Sequence, residues 1–190
     1  MVAALIVVDV QEGLFRPTPS PALSESVFAR INELTSRARA ARVPVIFVQH
    51  ESATDDLEYG TPGWALAKEL HVRASDEIVR KTTPDSFLRT SLGSILERNG
   101  VSNVVICGYA TEFCVDTTVR RAAALGYDVT LAADAHTTHD KNHAKAAWIV
   151  EHHNVTLAGI ESFGPTIQAI ATADIRFDAG EALTGSAVAS

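Results

Sequence analysis

VVICGYATEFCVDTT, at residues 104–118, is the stretch of this 190-residue chain that decides its fold. Its first four residues are all apolar, which is typical of a strand that is buried on both faces of a sheet. Gly108 ends this run, and apolar residues at helical spacing over 115–125 predict a helix that stops at Gly126. Cys114 therefore lies in the first turn of a helix that follows a buried strand.

Cys114 is a candidate nucleophile at this position. The unpaired backbone N–H groups at the start of a helix, together with the helix dipole, favour a negative charge and make a thiol easier to ionise. The alternative is a half-buried structural cysteine, because free cysteine is among the residue types most often buried. The position alone leaves both interpretations open.

The composition is that of an ordinary soluble globular protein, with 46% hydrophobic and 21% charged residues. At this length we expect one domain over residues 1–175 and a tail at 176–190 that is rich in Ala, Gly and Ser. A net charge of −7 without a Lys/Arg cluster argues against nucleic-acid binding, and no apolar run approaches the ~18 residues of a membrane span. Only two cysteines, and an N-terminus without the features of a signal peptide, favour a reducing, cytoplasmic location.

Predicted strands and helices alternate along the chain. Apolar runs predict strands at residues 3–8, 43–49, 77–80, 104–107, 127–132 and 155–158. Helices are predicted at residues 24–42, 64–70, 91–98, 111–125, 140–151 and 162–173. Because the strands are continuously apolar, the sequence predicts a parallel sheet with helices on both faces, a doubly wound three-layer α/β/α sandwich.

Polar residues follow several of these strands. In doubly wound sheets, ligands bind beyond the carboxyl ends of the strands. The residues at or just after predicted strand ends include Asp9, His50, Lys81, Cys114 and Asp134. An acid, an amine and a thiol on one rim of a sheet predict a chemical site there.

A cysteine nucleophile needs a base or a cation to form the thiolate, and donors to hold an oxyanion. Asp9 could accept the thiol proton, and Lys81 could keep Asp9 charged and attract the thiolate. The backbone N–H of Cys114 and another from the Tyr109–Ala110 corner could form the oxyanion hole. The alternative for Asp9 and Lys81 is a purely structural salt bridge.

Four segments carry a resemblance to a known family. They are VVDVQ at 7–11, RKTTPDSF at 80–87, GYATEFCV at 108–115 and DAHTT at 134–138. In these segments, and in their order and spacing over residues 3–173, the chain resembles the isochorismatase-like cysteine hydrolases. This superfamily also contains nicotinamidases and N-carbamoyl amidases.

The resemblance implies a catalytic triad of Asp9, Lys81 and Cys114 and a six-stranded parallel sheet with the strand order 3-2-1-4-5-6. It implies a cis peptide between Tyr109 and Ala110, and an oxyanion hole formed by the backbone N–H groups of Ala110 and Cys114. Relatives are commonly dimers or tetramers, so the resemblance implies a homodimer or homotetramer that acts on a small-molecule substrate.

The implied reaction is hydrolysis of an amide or carbamoyl C–N bond through a thioester on Cys114, with Asp9 as general acid and base. Isochorismatases of the same family instead cleave a vinyl ether by protonation, with the aspartate as the acid, and some do not require a cysteine. Because this chain keeps Cys114, acyl transfer is favoured. A further alternative is a non-catalytic interaction module on the same fold.

The chain departs from nicotinamidases just after the second strand. Those enzymes bind a metal there with an Asp-x-His motif and a further histidine, whereas this chain has His50 and Ser52 at the motif positions. The metal triad is not reproduced, which disfavours a nicotinamidase, and we expect neither a metal nor a cofactor. His50 is interpreted as a loop or substrate-contact residue, with cation binding as the alternative. Capping and surface roles are predicted for His136, His139 and His143.

Candidate pocket residues flank the triad segments or the long loop after the second strand. They are Gln11, Phe15, Trp64, Phe87, Tyr109 and Phe113. Aromatic side chains at such places usually line an apolar pocket or simply pack. Trp64 could line the pocket, lie at a subunit interface or pack in the core, and Gln11 could orient a substrate or be satisfied by the backbone.

Overall fold

Six parallel strands form the centre of the structure, a computed structural model that describes residues 2–177. The strands are β1 (Ala3–Val8), β2 (Val45–His50), β3 (Glu77–Lys81), β4 (Asn103–Tyr109), β5 (Asp128–Thr137) and β6 (Ile167–Ile170). Their order in the sheet is β3-β2-β1-β4-β5-β6, which confirms the predicted fold and strand order. Of the tail expected at 176–190, residues 178–190 lie outside the described part of the chain.

Helices cover both faces of the sheet. The helices are α1 (Glu12–Phe15), α2 (Ser24–Ala40), α3 (Leu92–Arg98), α4 (Asp116–Ala124) and α5 (Ala146–Ala158). Apolar residues of α2 pack in one buried cluster, and those of α3, α4 and α5 pack in another. None of the helices within residues 2–177 is long and apolar enough to cross a bilayer.

Strand β1 lies at the centre of the sheet and contributes to both clusters. Ala4, Ile6 and Val8 belong to the cluster with α3, α4 and α5, whereas Leu5 and Val7 belong to the cluster with α2. Because successive side chains of a strand point to opposite faces, a continuous apolar run is needed where both faces are covered. This is why the central strands were visible in the sequence.

Gly108 allows β4 to run close to β1 at the carboxyl end of the sheet. It pairs with Val8 and has a φ of +121°, a conformation that side chains rarely adopt. A Cβ at this position would lie 2.1 Å from the Val8 carbonyl oxygen. The glycine therefore lets the chain approach the end of β1 just before it reaches Cys114.

Two predictions near the C-terminal part of the fold were wrong. Residues 155–158, predicted as the sixth strand, are the last turn of α5, and residues 162–173, predicted as a helix, contain β6. The short run VTLA is compatible with a strand or a buried helix, since period alone does not separate the two. Helix α5 also begins later than expected, at Ala146, whose N–H donates to the Asp140 carboxylate.

The predicted helix at 64–70 is absent, and these residues form turns instead. Backbone hydrogen bonds tie this segment to the chain after β1: Glu12 N–H donates to Ala65 at 2.9 Å, and Ala67 N–H donates to Val10 at 3.0 Å. Groups used in this way cannot also close helical turns. Strand β5 extends to Thr137, so Asp134 lies within a strand and not at its end.

Candidate active site

The ammonium of Lys81 is the centre of a buried cluster at the carboxyl edge of the sheet. Its Nζ lies 2.6 Å from Asp9 Oδ2, 3.3 Å from Cys114 Sγ, 3.2 Å from His50 Nδ1 and 3.1 Å from the Thr83 carbonyl oxygen. Asp9 and Lys81 are almost fully buried, whereas Cys114 is half-buried. The structure thus brings together the acid, the amine and the thiol that lie on three separate segments.

Asp9 leaves the sheet directly after β1 with an unusual backbone. Its φ is +50°, in the left-handed region that aspartate tolerates better than most residues. Its N–H still donates to the Val48 carbonyl at 2.9 Å, so the residue stays attached to β2 while the chain turns. Such backbone conformations at a buried charged residue are typical of functional sites.

Cys114 lies in a wide, π-helical turn, Thr111–Val115, that precedes α4. The Ala110 carbonyl accepts hydrogen bonds from the N–H groups of Phe113 and Val115, both at 3.1 Å. In this wider turn the N–H of Cys114 does not bond to the Ala110 carbonyl. The peptide between Tyr109 and Ala110 is cis.

Burial, followed by the charge of Asp9, raises the pKa of Cys114 to about 12, and Lys81 opposes this shift. The start of a helix favours a thiolate, whereas burial and the charge of Asp9 favour the thiol. The Cys114 sulfur lies within 4.8 Å of the Asp9 carboxylate. Asp9 Oδ1 is buried and has no hydrogen-bond partner among residues 2–177, which leaves it free to accept a proton.

Asp9, His50 and Cys114 also have the donor atoms of a metal site, all within 4.8 Å of one another. However, the Lys81 ammonium contacts all three of them. A metal ion bound by this set would have to take the place of that ammonium. The donor set therefore fits the Lys81 ammonium better than a metal ion, and Ser52, at the second motif position, bonds to Asp55 instead.

A cavity of about 250 Å³ opens beside the cluster. Its lining residues are Asp9, Leu14, His50, Leu57, Pro84, Tyr109, Ala110, Phe113 and Cys114. Tyr109 and Phe113 were among the predicted pocket residues. Leu14 and Leu57 were missed because neither belongs to a predicted strand or helix, and Pro84 was noted only as part of the segment at 80–87.

The other four predicted pocket residues do not line this cavity. Gln11 is fully buried: its Nε2 donates to the carbonyls of His50 and Trp64, both at 2.9 Å, and its Oε1 accepts the His50 N–H at 2.8 Å. This is the backbone-satisfied alternative. Phe15 packs behind the cavity with its ring centroid 5.5 Å from that of Tyr109.

Trp64 and Phe87 are held by other aromatic rings. The Trp64 ring lies 4.8 Å from the Tyr59 ring, and Phe87 stacks on Tyr127 at 5.9 Å. Phe87 also packs against the core cluster that contains α3 and α4. Since neither side chain reaches the cavity, the pocket walls are formed mainly by residues closer to Cys114.

His136 is buried, so the predicted surface role was wrong. Its Nδ1 lies 2.9 Å from Thr111 Oγ1 and its Nε2 lies 2.9 Å from Asn154 Oδ1. It therefore links β5 to the first residue of the turn that carries Cys114. His139 lies 2.9 Å from the Tyr109 hydroxyl, and His143 is exposed.

We expect His136 to make stability sensitive to acid. Burial lowers its pKa to about 4 from an ordinary value of 6.5. The folded state therefore binds fewer protons, and the stability that it holds above pH 6.5 is lost as the pH falls towards 4. Urea unfolding should show a loss of about 2 kcal/mol between pH 7 and pH 5. The variant His136→Gln, which does not titrate, should lose less over the same interval, and an equal loss would contradict this assignment.

The family model for the isochorismatase domain matches residues 3–161. The chain belongs to the isochorismatase family. It is 37% identical over 140 residues to a streptothricin hydrolase of Streptomyces noursei, covering 73% of this chain and 51% of that protein. Nicotinamidase 3 of Arabidopsis thaliana is 33% identical over 154 residues, covering 72% of this chain and 74% of that protein.

Solved structures agree with this assignment. The crystal structure of an isochorismatase family protein superposes with a TM-score of 0.82 and 33% identity, covering 89% of this chain and 98% of that one. The chain spans about half the length of the two streptothricin hydrolases that it matches, at 51% and 56%. The shared fold therefore does not assign the activity of those longer proteins to this chain.

Proposed function

We propose that this chain is a hydrolase that cleaves an amide or carbamoyl C–N bond of a small molecule through a thioester on Cys114. The observation that carries the proposal is the contact of Lys81 Nζ with both Asp9, at 2.6 Å, and Cys114, at 3.3 Å, beside an apolar cavity. The names of two relatives, a nicotinamidase and a ureidoacrylate amidohydrolase, support amide hydrolysis.

In this mechanism Asp9 first accepts the thiol proton as Cys114 Sγ attacks the carbonyl carbon. The oxygen of the tetrahedral intermediate lies between the N–H groups of Ala110 and Cys114. Asp9 then gives its proton to the leaving nitrogen, and the C–N bond breaks to leave the thioester. Asp9 next accepts a proton from water, which attacks the thioester, and it returns that proton to the departing sulfur.

Lys81 supplies the charge balance for these steps. Its ammonium has four partners and only three hydrogens: Asp9, His50, Thr83 and Cys114 surround it. As the proton moves from sulfur to Asp9, negative charge moves from one neighbour of Lys81 to another. The ammonium can stabilise either arrangement without moving.

The second candidate function is vinyl ether cleavage, in which Asp9 protonates the substrate and no thioester forms. The unpartnered Oδ1 of Asp9 is compatible with an acid in that role. Intact-mass measurement separates the two reactions, with a panel of amides, carbamoyl compounds and isochorismate. An adduct on Cys114 with the mass of the acyl group supports the amidase. Turnover of isochorismate without any adduct would contradict it.

Alkylation tests whether the chain is a catalyst or only an interaction module. Cys114 borders the cavity, whereas Cys107 is fully buried and its pKa is raised by burial. Iodoacetamide should therefore modify Cys114 first, as mapped by peptide mass spectrometry. Since the pKa of Cys114 is raised to about 12, the rate should climb about tenfold per pH unit up to pH 9. A rate that levels off below pH 8 would show a preformed thiolate, and a Cys114 that stays unmodified at pH 9 would favour the interaction module.

A further inference from the structure

Two polar residues among those that line the cavity, His50 and Tyr109, have no role in the proposed mechanism, and the Tyr109 hydroxyl is already paired with His139. His50 is the last residue of β2, and the parallel register places it directly beside Lys81, the last residue of β3. Its backbone is clamped by Gln11, which bonds to both its N–H and its carbonyl oxygen. Both the strand register and this clamp keep the imidazole at the edge of the cavity.

The contact with Lys81 decides which ring nitrogen carries the hydrogen. His50 Nδ1 lies 3.2 Å from Lys81 Nζ, and an ammonium can only donate. An N–H at Nδ1 would point at this positive charge, so Nδ1 turns its lone pair towards Lys81, the ring is neutral and its hydrogen is on Nε2. The neighbouring charges agree with this: burial and Lys81 lower the pKa of His50, against the smaller opposite influence of Asp9, Asp55 and Glu51.

The second ring nitrogen is free to meet a ligand. Within residues 2–177 no hydrogen bond engages His50 Nε2, and this atom is not among the buried polar atoms that lack a partner. It is therefore an accessible donor at the cavity edge. The backbone of His50 is held by Gln11 and its Nδ1 by Lys81. The side chain therefore loses little conformational entropy when a ligand binds.

Most of the other residues that line the cavity are apolar. Leu14, Leu57, Pro84 and Phe113 contribute carbon surface, and no lysine or arginine within residues 2–177 lines the cavity. Lys81 lies behind His50 and has its own acceptors, so it is not available to pair with a substrate carboxylate. A charged substrate group would lose its hydration here without gaining an ion pair.

We propose that His50, held by Lys81 with its hydrogen on Nε2, donates a hydrogen bond to a second acceptor atom of the substrate. The site thereby selects compact, uncharged amides that carry an acceptor beside the scissile carbonyl group. This inference rests on the proposed amidase function. It assigns His50 as a specificity-determining residue and not as a cation ligand.

Benzamide and its three ring-nitrogen analogues (picolinamide, nicotinamide and isonicotinamide) test the inference. The four amides have nearly the same shape, and only the analogues carry a ring acceptor. Their kcat/KM values, or their inhibition constants against an amide found by the acyl-enzyme screen, are compared in the unmodified protein, His50→Phe and His50→Gln. Because ring electronics are the same for every variant, a change in the ratio to benzamide reports on residue 50.

The preference of the unmodified protein for its best analogue over benzamide should fall about tenfold in His50→Phe, which keeps a ring but has no donor. His50→Gln, which has both a donor and an acceptor, should retain most of the preference. Nitrogen-15 NMR of the histidine rings, with His50 assigned from the His50→Gln spectrum, should show the hydrogen on Nε2 at neutral pH.

The inference would be overturned by an unchanged ratio in His50→Phe, by a hydrogen on Nδ1, or by none of the analogues being preferred over benzamide. A turnover that requires added Zn²⁺ and is lost in His50→Phe would also overturn it, in favour of a cation site. If the acyl-enzyme still forms in these cases, the amidase proposal stands. If no amide of any class forms an adduct on Cys114, the proposed function fails and the inference fails with it.

Discussion

Replacing Cys114 by alanine should lower kcat for any amide substrate by at least about 10⁴-fold, because within residues 2–177 no serine, threonine or second cysteine lines the cavity to form the acyl-enzyme. The loss should appear in kcat and in kcat/KM, with no adduct in the intact mass. Steady-state turnover, together with mass spectrometry of the quenched enzyme, measures both. The folded fraction should change little, since Cys114 is only half-buried.

Cys107→Ala is the matched control for this prediction. Cys107 is the other cysteine, lies in β4 and is fully buried, with its sulfur 3.7 Å from the Ile6 carbonyl oxygen. Its replacement should reduce stability through a small cavity and leave the turnover of the folded protein unchanged. Full amide hydrolysis in Cys114→Ala would contradict the covalent mechanism, and full cleavage of isochorismate in that variant would instead support the ether-cleaving alternative.

The central part of the fold could be predicted from the sequence because burial on both faces leaves a simple signal. Strand β1 is apolar at every position and β4 is apolar over residues 104–107, as expected for strands that are covered by helices on both faces. The signal fails at 155–173, where α5 is apolar on more than one side and β6 has only four residues. There the packing of the whole domain, and not the local pattern, decides between helix and strand.

The site was predictable in position but not in protonation. Predicted strand ends and the family motifs can be read directly from the sequence, and they indicate Asp9, Lys81 and Cys114. The raised pKa of Cys114 depends on burial and on the distance to Asp9, which no spacing in the sequence encodes. The contact between His50 and Lys81 arises from strand register, so it could not be foreseen either.

The buried pair of Asp9 and Lys81 should be separable into a structural and a catalytic contribution. The Asp9 side chain is 2% exposed and the Lys81 side chain is 0% exposed, and Asp9 Oδ2 lies 2.6 Å from Lys81 Nζ. Lys81→Met alone leaves the Asp9 carboxylate buried without its partner, which should cost about 3–5 kcal/mol of the free energy of unfolding. Asp9→Asn alone should cost a similar amount, because the ammonium of Lys81 then remains without a counter-charge.

The double variant Asp9→Asn/Lys81→Met removes both charges and should recover most of the lost stability, since neither buried charge is then left without its counter-charge. Activity should not return: neither side chain can then accept the Cys114 proton. Urea unfolding and turnover per folded molecule give the two readouts. If the double variant hydrolysed amides at the original rate, Asp9 and Lys81 would be a structural salt bridge only.

Arg39 and Asp76 provide a matched ion pair away from the cavity. Arg39 Nη2 lies 2.6 Å from Asp76 Oδ2, and the two side chains are 10% and 2% exposed, respectively. Asp76 lies just before the amino end of β3, at the opposite edge of the sheet from Cys114. Asp76→Asn should therefore lower stability and leave the turnover of the folded protein intact. Because that variant and Asp9→Asn each lose one buried charge, a loss of turnover only in Asp9→Asn would come from the position of the carboxylate beside the thiol and not from instability.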